Sequence, residues 1–459
     1  MYTIDFNKPV HVHFIGIGGI SMSGLAQILL DRGFTISGSD IHASELTEHL
    51  ASMGAKISIG QVAENITDDI DLVVYTAAIH EDNPEFRAAM NKGIPMMVRA
   101  ALLGQIMANY PCSVAVSGAH GKTTTTSMLT HSLLSGETDP TVSVGGILDR
   151  IGGNILVGQS DIFLTEACEY TNSFLEFYPL YSIILNIEED HMDFFKDLDD
   201  IKHSFTKFAS QTREGGLIII NGDMPFVEEI LTNAPGKHLT FGLAPENDYS
   251  AKDISFDSLG NGSYTLTIHG QDVVRVNLKV KGVHNIMNSL ASIACANSIG
   301  LPMDTILSGL SSFTGTHRRF EVKGHMGDVT VIDDYAHHPT EIKATLASAK
   351  QLDHDEIWLV FQPHTYTRTL AFLPQFAEAL STADHIILTD IYAAREPDTG
   401  LVSSEDLKQL LAEAGSDVRY FRNFCEIEAF LSDHAKGRDL VITMGAGDVY
   451  LVGENLLKV

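Results

Sequence analysis

Residues 114–126 read Val-Ala-Val-Ser-Gly-Ala-His-Gly-Lys-Thr-Thr-Thr-Thr, and this stretch decides the fold. An apolar strand over 113–116 runs into a turn bracketed by Gly118 and Gly121. Lys122 and four consecutive threonines then open a helix expected over 123–134. Strand, glycine turn and helix in that order make a phosphate cradle. Backbone N–H groups and the helix N-terminus attract anions, Lys122 meets phosphate oxygens, and the Thr123 hydroxyl can ligate Mg²⁺. The general P-loop has a glycine where this chain has Val116, so the loop is a short variant, Gly118-x-x-Gly121-Lys122-Thr123. A strand that delivers such a loop belongs to an open α/β sheet, where ligands gather at strand C-termini.

Toward the C-terminus, two more apolar strands, 161–165 and 181–187, end in Glu166 and in Glu188-Glu189-Asp190-His191. Their ends share the edge that carries the loop. Glu166, Glu169 and His191 are therefore expected to converge on the phosphates and, with Thr123, to supply an Mg²⁺ shell. Residues 247–280 alternate in short strands about the turn Gly260-Asn261-Gly262, which reads as an antiparallel addition to the sheet. Helices follow over 285–298 and 303–313. His284-Asn285-x-x-Asn288 places two amides one turn apart, to face a ligand or to cap the helix.

Toward the N-terminus, a strand over 10–15 enters Gly16-Ile17-Gly18-Gly19-Ile20-Ser21. A helix runs from there to about residue 32, and a strand over 34–39 ends at Asp40. This is the dinucleotide-binding order with Ser21 in place of the third glycine, and it predicts a pyrophosphate site at Gly16, Gly18, Gly19 and Asp40. Strands over 56–59 and 72–75 and a helix over 85–92 continue the α/β pattern to about residue 108. Arg318 and Arg319 mark a boundary, and an arginine there can bridge domains and touch a transferring phosphate. Beyond it, strands over 329–332, 357–361, 385–389 and 439–444 alternate with helices over 340–351, 369–380 and 403–414. Their loops carry Asp333 to Pro339, Gln362 to Arg368, Arg395 and Gly445 to Asp448. The expected architecture is α/β in three domains. Residues 1–108 form a Rossmann-like domain, 109–320 a central P-loop sheet with its antiparallel addition, and 321–459 a second Rossmann-like domain.

The chain of 459 residues carries a formal charge of −29, which argues against a nucleic-acid partner because phosphate backbones require a basic face. Cys112, Cys168, Cys295 and Cys425 have neither disulfide-framework nor zinc spacing. No basic leader with an apolar run and no membrane-length apolar stretch is present, so a cytoplasmic protein without a membrane partner is expected.

Several motifs occur together and in order: Gly16 to Ala26, Gly118-x-His120-Gly121-Lys122-Thr123, Glu166-Ala-Cys-Glu169-Tyr170 and Asn186-Ile-Glu-x-Asp190-His191-Met-Asp193. They continue with His284-Asn285-x-x-Asn288, Arg318-Arg319-Phe320, Asp333-Asp334-Tyr335-x-His337-His338-Pro339-Thr340-Glu341 and Gln362-Pro363-His364. This set resembles the Mur ligases of peptidoglycan synthesis over nearly the whole chain. Ser21 and Ala119 depart from a glycine and a threonine common in the family, and neither removes a charge or a metal ligand. The resemblance implies three domains, for a UDP-sugar, for ATP and for closing the site. It also implies ATP and Mg²⁺ as cofactors, with UDP-N-acetylmuramate and L-alanine as substrates joined through an acyl phosphate by a monomer or homodimer.

Residue by residue, the resemblance assigns ATP to Gly118, Ala119, His120, Gly121, Lys122, Thr123, Thr124, Asn285, Asn288, Arg319 and Asp334. Catalysis falls to Lys122, Glu166, His191 and Arg319, and metal binding to Thr123, Glu166 and His191. The UDP-sugar goes to Gly16, Gly18, Gly19 and Asp40, with His364, Arg368 and Arg395 on the C-terminal side of the substrate pocket. Sibling ligases carry a carbamylated lysine where this chain has Phe205, so no carbamate is expected. The rival readings are a ligase recycling a tripeptide onto the same sugar, a non-catalytic UDP-sugar sensor and a dehydrogenase. The dehydrogenase leaves the P-loop unexplained, and a sensor has no use for a complete phosphate and metal shell.

Overall fold

The computed structural model describes residues 2–76, 78–394 and 396–458. It builds three sheets of five, ten and six strands, each covered by helices. The three-domain α/β architecture expected from the sequence is present. No helix among the described residues is long and apolar enough to cross a membrane.

In the first sheet His11–Ile15 is central, with Thr35–Asp40 and Lys56–Ile59 on one side and Leu72–Tyr75 and Met96–Val98 on the other, all parallel. The chain reverses direction across the sheet between His11–Ile15 and Leu72–Tyr75. The Gly16 turn stands at that switch point, where an open α/β sheet forms its ligand crevice. Helix Ile20–Asp31 continues from the turn and packs on the central domain. A Cβ at Gly24 would lie 2.3 Å from the Ile155 side chain, so only glycine permits this approach.

The P-loop strand Cys112–Ser117 lies in the middle of the ten-stranded sheet, between Ile162–Ala167 and Tyr181–Ile184, parallel to both. That placement brings Glu166 and residues 186–191 beside the loop. Tyr249–Phe256, Asn261–Ile268 and Gln271–Lys281 form the antiparallel addition at one edge, while Thr141–Leu148 and Gly153–Leu156 form a hairpin at the other. Helix Lys122–Ser135 is buried from Thr125 to Leu133, and two of its hydroxyls bond within the helix: Thr130 donates to the Thr126 carbonyl at 2.7 Å and Ser132 to the Met128 carbonyl at 3.2 Å. In the third sheet Glu321–Met326 is antiparallel to Val329–Asp334. Leu440–Met444, Ile357–Phe361, His385–Leu388 and Asp417–Tyr420 complete it in parallel.

Three local expectations need correction. The reversal expected at Gly260-Asn261-Gly262 lies earlier, because the Asp257 carboxylate accepts from the N–H groups of Leu259 and Asn261 at 2.9 and 2.8 Å and Asn261 already opens a strand. The helix expected over 369–380 is two, Tyr366–Ala371 and Leu373–Leu380, because Pro374 has no N–H for the Leu370 carbonyl. The strand expected over 181–187 stops at Ile184, because Asn186 turns to hold the P-loop. Its side-chain oxygen accepts from the His120 N–H at 2.8 Å and its amide donates to the His120 carbonyl at 3.0 Å.

Candidate active site

The loop geometry starts with two glycines in the left-handed region. Gly118 has φ +141°, and a Cβ there would crowd Leu185 at 3.0 Å. Gly121 has φ +83°, and its Cβ would lie 2.5 Å from Asn288 Oδ1. Inside the loop the Lys122 ammonium donates to the carbonyl oxygens of Gly118 and Ala119 and to both oxygens of Glu169, at 3.2 and 2.9 Å. Glu169 is buried. Burial opposes the charge on Lys122, but Glu169 outweighs it and holds the lysine pKa above its ordinary value.

Thr123 donates to Glu166 Oε2 at 3.1 Å, and the Gly145 N–H donates to Glu166 Oε1 at 2.5 Å. Burial raises the Glu166 pKa despite those two bonds. His191 sits at φ +53°, tilted against Tyr170 with ring centroids 4.5 Å apart, and its Nε2 lies 3.7 Å from Glu169 Oε1. Burial lowers its pKa, which favours the neutral, lone-pair form. The fold thus brings Lys122, Thr123, Glu166, Glu169 and His191 to one strand edge. One hydroxyl, two carboxylates and one imidazole at the phosphate end of a P-loop are a donor set that fits Mg²⁺.

Beside the loop a cavity of about 280 Å³ lies between the central and C-terminal domains, lined by Thr124, Lys281, Asn285, Asn288, Arg319 and Asp334 among others. The asparagines do not cap helix Val283–Ile299: its N-cap is Gly282, without a side-chain bond. Asn285 instead donates to the Lys281 carbonyl at 2.8 Å, and Asn288 donates to Asn285 Oδ1 at 3.1 Å while standing against Gly121. Arg319 faces the cavity with Nη1 3.6 Å from Glu341 Oε1. Arg318 turns away, bonding Asp333 at 3.0 Å and the Gly445 carbonyl at 2.7 Å. Asp334 accepts from the N–H groups of Phe320 and Ala336 at 2.8 and 2.7 Å, and burial raises its pKa to about 6 against the pull of Arg319.

Arg368 is committed to an interdomain ion pair. Its Nε and Nη2 donate to Asp190 Oδ1 at 3.1 and 2.7 Å, and its Nη1 lies 3.1 Å from His364 Nδ1. Burial opposes ionisation of Asp190, but Arg368 holds its carboxyl well below the usual aspartate range. His364 stacks on Tyr392 with centroids 5.7 Å apart. Arg395 lies outside the described residues. In the first domain Gly16 has φ +82°, Gly19 precedes the helix, and the Gly18 N–H donates to Asp40 Oδ2 at 2.8 Å, so Asp40 holds the glycine turn in shape. Phe205 is fully buried, in edge contact with Phe174 at 5.1 Å.

Glu341 escaped selection from the sequence. It pairs with His120 Nδ1 at 3.2 Å and accepts from the His337 N–H at 3.0 Å. Burial opposes its charge, yet His337, His120 and Arg319 hold its carboxyl well below the usual range. The available signal was an acid in the first turn of helix Pro339–Ala349, four residues after His337.

Three family models match the chain in succession. They are described as Mur ligase family, catalytic domain (residues 11–111), Mur ligase middle domain (116–296) and Mur ligase, glutamate ligase domain (318–447). The UDP-N-acetylmuramate–L-alanine ligase of Agathobacter rectalis is 57% identical over 458 residues, and that of Lachnospira eligens 55% over 459. Both alignments cover 100% of each chain. Among solved structures, the UDP-N-acetylmuramate-alanine ligase of Thermotoga maritima superposes with a TM-score of 0.79 at 30% identity, covering 98% of both chains. A murein peptide ligase from Psychrobacter arcticus superposes at 0.70 with 26% identity over the same share. Motifs, three sheets and full-length similarity agree: the chain belongs to the Mur ligase family.

Proposed function

We propose that this protein is an ATP-dependent ligase that joins L-alanine to the carboxylate of UDP-N-acetylmuramate, releasing ADP and phosphate, in the synthesis of peptidoglycan precursors. One observation carries the reading. Lys122, Thr123, Glu166, Glu169 and His191 converge at the P-loop, in a chain 57% identical over its full length to an L-alanine ligase. Soluble, nucleotide-linked substrates fit an enzyme of the cytoplasm.

A carboxylate is a poor acyl donor until one of its oxygens becomes part of a leaving group. The sugar carboxylate attacks the γ-phosphorus of ATP, ADP departs, and the acyl phosphate carries the activated carbonyl. The alanine amine then attacks that carbonyl, and the tetrahedral adduct collapses to amide and phosphate as the nitrogen loses its proton. Every step gathers anions, so the residues that matter are cations and N–H donors. Lys122 and the loop N–H groups stabilise the β- and γ-phosphates, with Arg319 adding positive charge from the domain boundary. Asn285, Asn288 and Asp334 face the nucleotide across the cavity. Thr123, Glu166 and His191 would hold Mg²⁺, which when bound neutralises phosphate charge and orients the γ-phosphoryl group. Gly16, Gly18 and Gly19, shaped by Asp40, offer the first domain's anion site to the UDP-sugar. His364 would act from the C-terminal side of the substrate pocket, while Arg368, paired with Asp190, would hold the C-terminal domain against the central one.

The test is phosphate release from ATP with UDP-N-acetylmuramate and Mg²⁺, adding L-alanine, glycine, L-serine or the tripeptide in turn. The expected result is sugar-dependent release fastest with L-alanine, with the sugar nucleotide gaining one alanyl mass. Preference for the tripeptide would reassign the protein to peptide recycling. No sugar-dependent release with any donor would leave a sensor.

A further inference from the structure

A second set of metal-ligating side chains lies apart from Thr123, Glu166 and His191. His120 comes from the P-loop, Glu188 from the segment after Tyr181–Ile184, and His338 from the N-cap of helix Pro339–Ala349 in the C-terminal domain. One ligand atom from each lies within 4.8 Å of the other two. The two imidazole rings pack with centroids 4.8 Å apart.

Each of the three is oriented by a neighbour. His120 Nδ1 is 3.2 Å from Glu341 Oε1, which orients the ring with Nε2 toward Glu188. Burial opposes its charge, but the carboxylates of Glu341 and Glu188 raise its pKa to about 10, so a metal at Nε2 displaces a proton. That Nε2 is buried and has no hydrogen bond, and Glu188 Oε2 stands 3.7 Å away. His338 Nε2 donates to the Glu189 carbonyl at 2.9 Å, which fixes its tautomer. Its Nδ1 lone pair is reached only by the Thr340 N–H, at a long 3.3 Å. Thr340 Oγ1 donates to Glu188 Oε2 at 2.7 Å. A carboxylate behind one imidazole, a carbonyl behind the other and a hydroxyl on the acid are the outer contacts that orient ligands in metal sites. Ligation at Nε2 would give that buried nitrogen the partner it lacks.

We propose that His120, Glu188 and His338 bind a transition-metal dication, Zn²⁺ by the chemistry of the donors, and that the ion clamps the C-terminal domain against the P-loop. Two nitrogens and one oxygen suit Zn²⁺ and leave a fourth position for water, whereas Mg²⁺ demands an octahedron of oxygens. Ligands of a tetrahedral ion with bonds near 2.0–2.1 Å stand about 3.3 Å apart, so the trio contracts on binding. Glu188, with 36% of its side chain exposed, has room to move inward. Two ligands belong to the central domain and one to the C-terminal domain, so the contraction draws the two together. The inference does not depend on which substrates the ligase joins.

The experiment titrates Zn²⁺ into chelator-treated full-length protein by calorimetry, with saturating Mg²⁺ present to occupy the oxygen-rich site. Co²⁺ serves as a spectroscopic probe in parallel. The expected result is one tight equivalent of Zn²⁺ and the intense visible absorption of tetrahedral Co²⁺. Glu188→Gln and His338→Gln should each weaken Zn²⁺ by about 100-fold or more, and Thr340→Val, which removes only an outer contact, by about 10-fold. His191→Asn should leave the affinity within about threefold, because that imidazole belongs to the other set. Absence of a tight equivalent, equal affinity in wild type and Glu188→Gln, or loss confined to His191→Asn would each overturn the assignment. Glu188→Gln preserves volume and its partner Thr340, so the test stands even where loss of the His338 cap weakens the fold.

Discussion

Replacing Lys122 by alanine separates what this residue does for the reaction from what it does for the fold. Its ammonium meets two loop carbonyls and both oxygens of Glu169, a carboxylate only 3% exposed. Removing one preorganised donor from a transition state costs about 10²–10³ in kcat, and Lys122 adds a full charge, so Lys122→Ala should lose at least about 10³-fold. The same change leaves Glu169 buried without its cation, which costs about 3–5 kcal/mol. At about 2–4 °C per kcal/mol for a domain near 200 residues, melting should fall by roughly 10 °C. The double variant Lys122→Ala/Glu169→Gln removes the stranded charge and should recover most of that stability while recovering no turnover. Phosphate release reports the reaction, scanning calorimetry the fold, and titration calorimetry UDP-sugar binding, which the first domain should retain. Single-variant turnover within tenfold of wild type, or a double variant that regains turnover, would refute the role given to the loop lysine.

Three further outcomes follow from contacts already described. Gly121→Ala forces a Cβ into the left-handed region and to within 2.5 Å of Asn288 Oδ1, so it should cost about 1–3 kcal/mol and raise the KM for ATP; an unchanged melting point and KM would contradict the close approach. Arg368→Met strands Asp190 and should destabilise by about 3–5 kcal/mol near neutrality. Because the Asp190 pKa is depressed, the pair's contribution is present above the ordinary aspartate pKa and is lost as pH falls toward the folded value. Acid unfolding followed by circular dichroism should accordingly show a flatter acid limb in the variant. His131, buried with Nδ1 2.8 Å from Ser312 Oγ, has its pKa lowered to about 4 by burial and by Arg150. The unfolded chain binds that proton near pH 6.5 and the folded chain does not, so stability falls as pH drops from about 6.5 to 4, by about 3 kcal/mol from this residue. His131→Gln should reduce the slope of melting temperature against pH in that window, and an unchanged slope would show that the imidazole titrates normally.

What could be read from the sequence was local. The P-loop declares itself because its two glycines, its lysine and its threonines lie within nine consecutive residues, and the glycines, the lysine and Thr123 each have a conformational or chemical reason for their place. The same holds for the Gly16 turn and for strands such as Ile357–Phe361, whose bounds match the apolar run. The adjacent arginines show where locality ends. Side by side in sequence, Arg318 and Arg319 have equal claims on a phosphate. The backbone at Arg318 takes φ +60°, sending that guanidinium to Asp333 and the Gly445 carbonyl and leaving Arg319 in the cavity. Nothing in a run of side-chain types encodes that turn. Arg368 and Asp190 stand 178 residues apart, and Glu341 meets His120 only because two domains pack. The composition of the site is a property of short segments, but which charge neutralises which is a property of domain contact. An interdomain ion pair therefore reads as a lone arginine until the second domain is in place. By the same reasoning, side chains that hold two domains together, such as Arg368, can be essential to turnover without touching either substrate. Their variants should raise KM for the nucleotide and the sugar together, because each ligand binds the closed form and shares the cost of reaching it.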